Sequence, residues 1–158
     1  MNQYVKQYQQ ASIETASREQ ILIMLYDGAI QFLNKAKVAM AKKDIEEIHN
    51  NLMGAQNILN EFITSMDVEV APQLAQNLIS LYEYFIRRLV RANMKKEIEP
   101  IDEVLGYLKS LKATWEKAIA LAQKEEMEKY KQTRNNIDFS DDYDSDEDDD
   151  DDEDDEDE

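Results

Sequence analysis

The chain has 158 residues, three glycines, two prolines, no cysteine and a formal net charge of −17. The lack of cysteine excludes a disulfide framework, a thiol nucleophile and a cysteine-based zinc site. So few glycines and prolines leave little turn chemistry for an all-β or α/β fold, and they favour long helices. We expect one domain in the cytoplasm, because the first ten residues are too polar for a signal peptide and no apolar run is long enough to span a membrane.

The net charge comes from the C-terminal end of the chain. Residues 1–137 contain all 18 Lys and Arg and 18 of the 35 Asp and Glu, so they are formally neutral, whereas residues 138–158 hold the remaining acids and no base. Neighbouring charges in an extended chain lie about 3.4 Å apart, well within the Debye length of ~8 Å at physiological salt. We therefore predict a disordered acidic tail over 138–158. Three roles are open for this tail: it keeps the protein soluble, it competes for basic partners, or it binds divalent cations weakly.

Residues 1–16 form a polar N-terminal segment with no sustained period. Tyr4 and Tyr8 are four residues apart, so one helical turn would present both on the same side, and Ile13 follows. Two interpretations stay open. The segment is either a frayed terminus or a docking segment whose large side chains pack on the domain.

The first helix is predicted over about 18–42. Ser17 suits the N-cap position, and Gln20 completes a capping box with it. A surface helix needs one apolar stripe, but this one carries two adjacent stripes, which indicates several neighbours or a neighbour plus a bound guest. The first stripe is Ile21, Leu25, Gly28 and Phe32; the second is Leu22, Tyr26, Ala29, Leu33 and Met40.

Three more helices follow with short loops. Asp44 caps the second with Glu47 in the capping-box position, Pro72 suits the first turn of the third, and Pro100 opens the fourth. The second helix keeps an alternating 3–4 spacing of apolar residues, which is typical of a coiled-coil-like seam: Ile45, Ile48, Leu52, Ala55, Leu59, Phe62 and Met66.

The third and fourth helices repeat this pattern. We predict the third over about 72–94, stopping near Asn93, and the fourth as far as about Tyr130. Four helices of this length with short loops predict an all-α, antiparallel four-helix bundle over 17–137. The apolar seam of the fourth helix is Ile101, Val104, Leu108, Leu111, Trp115, Ala118 and Ala122.

Patterns for catalysis are weak. His49 is the only histidine, and its surroundings, HNNLMGA, depart from the His-x-Leu-Lys-Gly pattern of phosphotransfer bundles, since leucine and glycine come one residue late and lysine is missing. Glu46 and His49 match one half of a di-iron motif, which requires the motif on two helices. We therefore expect no enzyme activity, no cofactor and no metal, and we keep phosphotransfer through His49 only as a minor alternative.

Basic residues crowd the end of the third helix, from Arg87 to Lys96. A neutral domain with an anionic tail is a poor phosphate binder, because the tail competes for the same cations. We expect a solvated face and no nucleic-acid partner.

Several helices carry further apolar residues beside the stripe that a bundle core needs. These residues either cover the flanks of the core or line a groove for a partner helix. From periodicity alone the chain is a binding module of unknown partner. The residues concerned are Tyr26, Ile58, Ile63, Ile79 and Tyr82.

Five short motifs in order, over about residues 4–122, resemble the flagellar export chaperone FliS family. Each is weak alone, and their order and spacing make the resemblance specific. Arg18 departs from the proline usual in the family, and the acidic tail lies outside the pattern. The motifs are Tyr8 with Ile13, Thr15, Ala16 and Ser17; Leu25–Gly28; Ala55–Ile58; Leu81, Tyr82, Tyr84 and Ile86–Leu89 with Ala92 and Asn93; and Glu103, Val104 and Trp115.

The resemblance implies a cytoplasmic chaperone that binds the disordered C-terminal segment of flagellin, prevents premature polymerisation and assists flagellar type III export. It implies no cofactor. Export-apparatus components are further expected partners, and a homodimer formed through the chain's own groove stays open. The rival interpretation is a four-helix interaction module that is not a chaperone.

Residue roles follow from the resemblance as hypotheses. Tyr8 and Ile13 would dock near the guest groove, as a lid or as direct contacts. Leu25, Tyr26, Ile58 and Tyr82 would form the groove and its support. Trp115 is expected to anchor the core rather than the guest.

Overall fold

The computed structural model describes residues 3–7, 10 and 16–140, with side-chain environments up to residue 137. Within these ranges the protein is helical, with a short helical stretch at residues 3–7 and no strand. The predictions for Tyr8 and Ile13, and for the tail from residue 141 onward, lie outside the described residues.

Four long helices carry the fold, and they confirm the all-α prediction. They are α1 (Arg18–Ala41), α2 (Ile45–Thr64), α3 (Pro72–Lys95) and α4 (Glu99–Ser140). The chain divides into two compact units, with the boundary between Lys117 and Ala118, inside α4. No helix in the described ranges is long and apolar enough to cross a membrane.

Both predicted N-caps are present. The Ser17 hydroxyl accepts from the backbone N–H of Gln20 at 3.2 Å, and the Gln20 side chain accepts from the backbone N–H of Ser17 at 3.0 Å. A carboxylate oxygen of Asp44 accepts from the backbone N–H of Glu47 at 3.2 Å. These bonds satisfy donors that the first helical turn leaves free, and they fix where α1 and α2 begin.

Two helix ends lie later than predicted. α3 ends at Lys95, one residue beyond the predicted end at about 94, and Lys96 turns left-handed at φ 53°. α4 runs past Tyr130 to Ser140 and includes the first three residues of the range predicted as tail. No glycine or proline follows Gly106 to break α4.

In the first unit, all four helices contribute one apolar side to a common core. The second stripe of α1, not the first, faces this core. Within this unit, the predicted seam positions of α2 and α4 are buried or partly buried, except for Ile45, which lies at the start of α2 and is exposed. The fully enclosed residues include Tyr26, Ala29, Leu33, Leu52, Ala55, Leu59, Tyr82, Phe85, Leu89, Ile101, Val104 and Leu108.

The second unit contains the end of α4. From residue 118 to residue 137 its side chains are exposed, apart from the partly covered Ile119. Ala118 and Ala122 kept the spacing of the predicted seam, yet neither is buried. A small side chain at the right spacing is compatible with a core position, but does not require one.

We predict opposite stability effects for two glycine substitutions. In Gly54→Ala, the new Cβ would lie 2.7 Å from a carbon of the Phe32 ring, and displacing that ring costs about 1–3 kcal/mol. In Gly106→Ala, nothing lies within 4 Å of the new Cβ, so the helix gains about 1 kcal/mol. Urea unfolding followed by circular dichroism measures both changes, and equal stabilisation by the two substitutions would contradict the packing of Phe32 on Gly54.

Candidate functional site

A buried cluster of aromatic side chains joins all four helices. The hydroxyl oxygens of Tyr26 on α1 and Tyr82 on α3 are 2.5 Å apart, and Trp115 Nε1 on α4 donates to the Tyr26 hydroxyl at 3.1 Å. The ring of Phe62 on α2 lies between the tyrosines, with its centroid 4.8 Å from Tyr26 and 5.2 Å from Tyr82. Polar and apolar contacts therefore hold the same point of the bundle.

Burial changes how these tyrosines ionise. Removal from water raises the pKa of Tyr26 above its ordinary value of 10.0, although its hydrogen bonds to Tyr82 and Trp115 oppose the shift. The pKa of Tyr82 is raised strongly by burial and further by its bond to Tyr26. Both phenols are consequently neutral wherever the bundle is folded near neutral pH.

Ion pairs bridge the seam between α1 and α4. Lys37 Nζ lies 2.6 Å from a carboxylate oxygen of Asp102, and Lys112 Nζ lies 2.6 Å from one of Asp27. The Asp27 contact raises the pKa of Lys112. The later residue on α1, Lys37, pairs with the earlier residue on α4, and the reverse holds for Asp27 and Lys112. The helices α1 and α4 are therefore antiparallel, as predicted.

A carboxylate bridges the seam between α3 and α4. Glu103 accepts hydrogen bonds from the Tyr84 hydroxyl and, at 2.7 Å, from Arg88 Nε. The Tyr84 bond, supported by Arg88, lowers the pKa of Glu103. The seam between α2 and α3 has a polar bridge too, because Asn93 Nδ2 donates to His49 Nδ1 at 2.8 Å.

The seam between α1 and α2 differs from the other three. Among the described residues, no side-chain hydrogen bond or ion pair crosses it. Its contacts are close and apolar: a Cβ on Gly28 would lie 3.2 Å from Ile58 Cδ1, and the Phe32 ring lies against Gly54. Small residues bring the two helices together, and apolar side chains remain partly exposed along the line where they meet.

This apolar surface, called the α1–α2 seam below, contains much of the first stripe predicted for α1. Ile21 is 37% exposed and Met24 is 41% exposed, at the edge of the seam. Leu25, Phe32 and Ile58 are partly buried against the core. A strip of this kind gives the apolar face of a helix a surface to lie on.

The predicted site residues fall into two groups. Leu25 and Ile58 lie at the α1–α2 seam, where a partner could touch them. Tyr26 and Tyr82 are enclosed in the core, with 0% and 2% of their surface exposed. A partner on the surface therefore cannot touch them in this structure. Trp115 is partly buried against the core, as expected of an anchor.

The sequence patterns for other chemistry do not come together in space. His49 is exposed and bonded to an asparagine. In the ranges that the structure covers, no three histidine or carboxylate side chains are placed to hold a metal ion. Two features were missed from the sequence, namely the Phe32–Gly54 contact and the Glu103 bridge. A glycine on α2 facing an aromatic stripe on α1 would have indicated the first.

Comparisons with known proteins agree on one family. The chain matches the family model described as flagellar protein FliS over residues 1–122. It is 34% identical over 118 residues to the flagellar secretion chaperone FliS of Bacillus subtilis, covering 75% of this chain and 87% of the relative. It is 35% identical over 116 residues to that of Salmonella typhimurium, covering 70% and 86%. Against that of Escherichia coli it is 31% identical over 111 residues, covering 70% and 82%.

The buried tyrosines predict a specific loss of stability at alkaline pH. Because the pKa of both tyrosines is raised in the folded state, their contribution to stability is complete below pH 10, the ordinary pKa of tyrosine. As the pH rises above 10, unfolded tyrosine ionises and folded tyrosine does not, so each contributes a loss of up to about 1.4 kcal/mol per pH unit. The double variant Tyr26→Phe/Tyr82→Phe lacks this contribution. Its unfolding free energy, from urea titrations between pH 9 and 11, should fall less steeply than that of the parent protein.

The matched control for this experiment is Tyr130→Phe, at a position that is 67% exposed. It should follow the parent protein across the whole range. Parallel pH profiles for the parent and the double variant would show that the Tyr26–Tyr82 pair is not kept neutral by burial.

Proposed function

This chain belongs to the FliS family, and on that premise we propose that it is a cytoplasmic flagellar secretion chaperone that binds the C-terminal segment of flagellin along the α1–α2 seam. The observation that supports this most is the contrast between the seams. Three pairs of neighbouring helices are bridged by polar side chains, and the α1–α2 pair presents an apolar strip instead.

The chemistry of the guest fits such a strip. The terminal segments of flagellin pack as helices in the filament, so a free segment exposes an apolar stripe that self-associates. A helix laid along Leu25 and Ile58 would cover its own stripe, folding as it binds. Covering the stripe blocks polymerisation by occupancy alone, so that neither an ATP site nor a catalytic group is needed.

The buried cluster supplies the rigidity that this binding requires. A guest that arrives unfolded loses conformational entropy on binding, and a surface that also had to become ordered would bind it more weakly. Tyr26 and Phe62 lie directly behind the seam and are held by Tyr82 and Trp115. The seam is therefore ready before the guest arrives.

We further propose that the chaperone keeps its guest in a form that the flagellar type III export apparatus accepts. Release then depends on a competing contact at the export machinery and not on hydrolysis by the chaperone. A four-helix interaction module with an unrelated partner remains the rival function, and it would bind no flagellin segment at all.

Substitutions along the seam test the proposal. Leu25→Ala and Ile58→Ala should each weaken binding of a flagellin C-terminal peptide about tenfold, because each removes about 1–2 kcal/mol of apolar contact. Titration calorimetry measures the affinity, and a negative heat-capacity change marks the apolar burial. Leu121→Ala is the control, since Leu121 is exposed and lies in the second unit.

Two results would count against this site. Equal affinity for the parent protein and both seam variants would place the guest elsewhere on the bundle. An affinity loss explained entirely by lower thermal stability would leave Leu25 and Ile58 as structural residues only. Measurement of the melting temperature of every variant separates these results.

The N-terminal segment carries a separate prediction. If Tyr8 docks near the guest groove, Tyr8→Ala should weaken binding of the peptide several-fold, since an interfacial aromatic is worth about 1 kcal/mol or more. The melting temperature should change little. A large fall in melting temperature with unchanged affinity would contradict the docking role.

A further inference from the structure

A second apolar surface lies on the α2–α3 seam, away from the proposed guest site. Met53 is 38% exposed, Val90 41% and Met94 77%. The bond between Asn93 and His49 fixes how these helices align. Met53 is one turn after His49 and Val90 about one turn before Asn93, so the antiparallel register places them at the same level. We call Met53, Val90 and Met94 the methionine patch.

Cations border the methionine patch on one side. Arg87, Arg91 and Lys95 are spaced four residues apart on α3 and are all exposed. Together with Val90 and Met94 they span an arc of about 140° on the helix. The patch therefore has an apolar centre and a positively charged rim on the same face.

Few of these cations are held in ion pairs by the described part of the chain. Within the described ranges, no carboxylate lies at ion-pair distance from Arg87 or Lys95. Arg91 lies 3.2 Å from Glu97, but both side chains are about half exposed, and such surface pairs contribute little. An incoming carboxylate would meet donors that are available at small cost.

We propose that the methionine patch binds an acidic amphipathic segment of another protein. Its apolar side chains would lie on Met53, Val90 and Met94, and its carboxylates would pair with the rim. Methionine and arginine are both enriched in protein interfaces, and methionine adapts to differently shaped partners. Guanidinium groups add directed hydrogen bonds to carboxylates.

The same features disfavour a nucleic acid. Three cations along about 12 Å of helix neutralise too few phosphates for stable binding, and exposed methionines contribute nothing to a phosphate backbone. The net charge of −17 repels an extended polyanion. A short acidic segment meets less repulsion at physiological salt, where charges beyond about 8 Å are screened.

Both surfaces can be occupied at once. Met53 and Ile58 are separated by five residues on α2, which turns them about 140° apart around the helix axis. A partner on the methionine patch therefore leaves the α1–α2 seam open. This inference stands independently of the proposed guest.

The test uses the full chain and fluorescence anisotropy with three labelled probes. The first is a synthetic helix-forming peptide with one leucine stripe flanked by glutamates. The second has the same composition in scrambled order, and the third is a single-stranded DNA. Arg87→Ala/Arg91→Ala/Lys95→Ala should weaken binding of the first probe about tenfold, as expected for lost charge pairs. Met53→Ser/Met94→Ser should weaken it about fivefold.

The matched control removes three other exposed cations, in Arg18→Ala/Lys109→Ala/Lys117→Ala, and should change the affinity less than about twofold. The rim variant should bind the flagellin peptide as the parent does. Four outcomes would overturn the proposal: no binding of the first probe, equal binding of the scrambled peptide, equal losses in the rim and control variants, or tighter binding of the DNA. Self-association that disappears in the rim variant would assign the patch to a second copy of the chain instead.

Discussion

The hydrogen-bonded pair of Tyr26 and Tyr82 is the interaction on which the rest of the bundle depends. Two hydroxyl groups lie inside an apolar core, where an unpaired polar group would cost about 1–3 kcal/mol. One hydroxyl donates to the other, and Trp115 donates to the Tyr26 hydroxyl from α4. These bonds have direction, so they set the relative positions of α1, α3 and α4 more narrowly than apolar packing would. Phe62 then brings α2 into the same cluster.

A bundle fixed in this way can use its seams for different purposes. Carboxylates and cations bridge α1 to α4 and α3 to α4, so those seams are already satisfied. The α1–α2 seam relies on Gly28 and Gly54 for close approach and leaves apolar side chains at its edge. Most of the partly exposed surface proposed for the guest therefore lies on the two helices that need no polar bridge.

Periodicity and capping residues predicted most of this architecture. The 3–4 spacing in α2 identified its buried side from Ile48 to Phe62, and Ser17 and Asp44 marked two helix starts, because both signals are local. Helix ends were harder. Asn93 looked like a stop, yet α3 continues two residues beyond it to Lys95. The end of α4 was also predicted too early. Its last residues are mostly polar or charged, so they are compatible with a helix but show no apolar periodicity.

The candidate site was predictable only in part. The stripes identified Leu25 and Ile58 as apolar residues outside the main core positions, and their contact with a guest stays a prediction. They could not show that Tyr26 and Tyr82 are enclosed, because an aromatic at helical spacing fits either a core or a groove. Their pairing depends on a contact across 56 positions of sequence. The polar bridges that distinguish the four seams are long-range as well, and periodicity within one helix carries no information about them.

Site-specific photo-crosslinking shows directly whether the guest lies on the α1–α2 seam. p-Benzoyl-phenylalanine would replace Ile58 on the α1–α2 seam or, in a second protein, Tyr107, which is 48% exposed on α4. Each protein would be irradiated with the flagellin C-terminal peptide. A guest on the seam should give a crosslinked product from position 58 and little from position 107. Strong crosslinking at 107 and none at 58, from proteins that bind the peptide equally well, would contradict this placement.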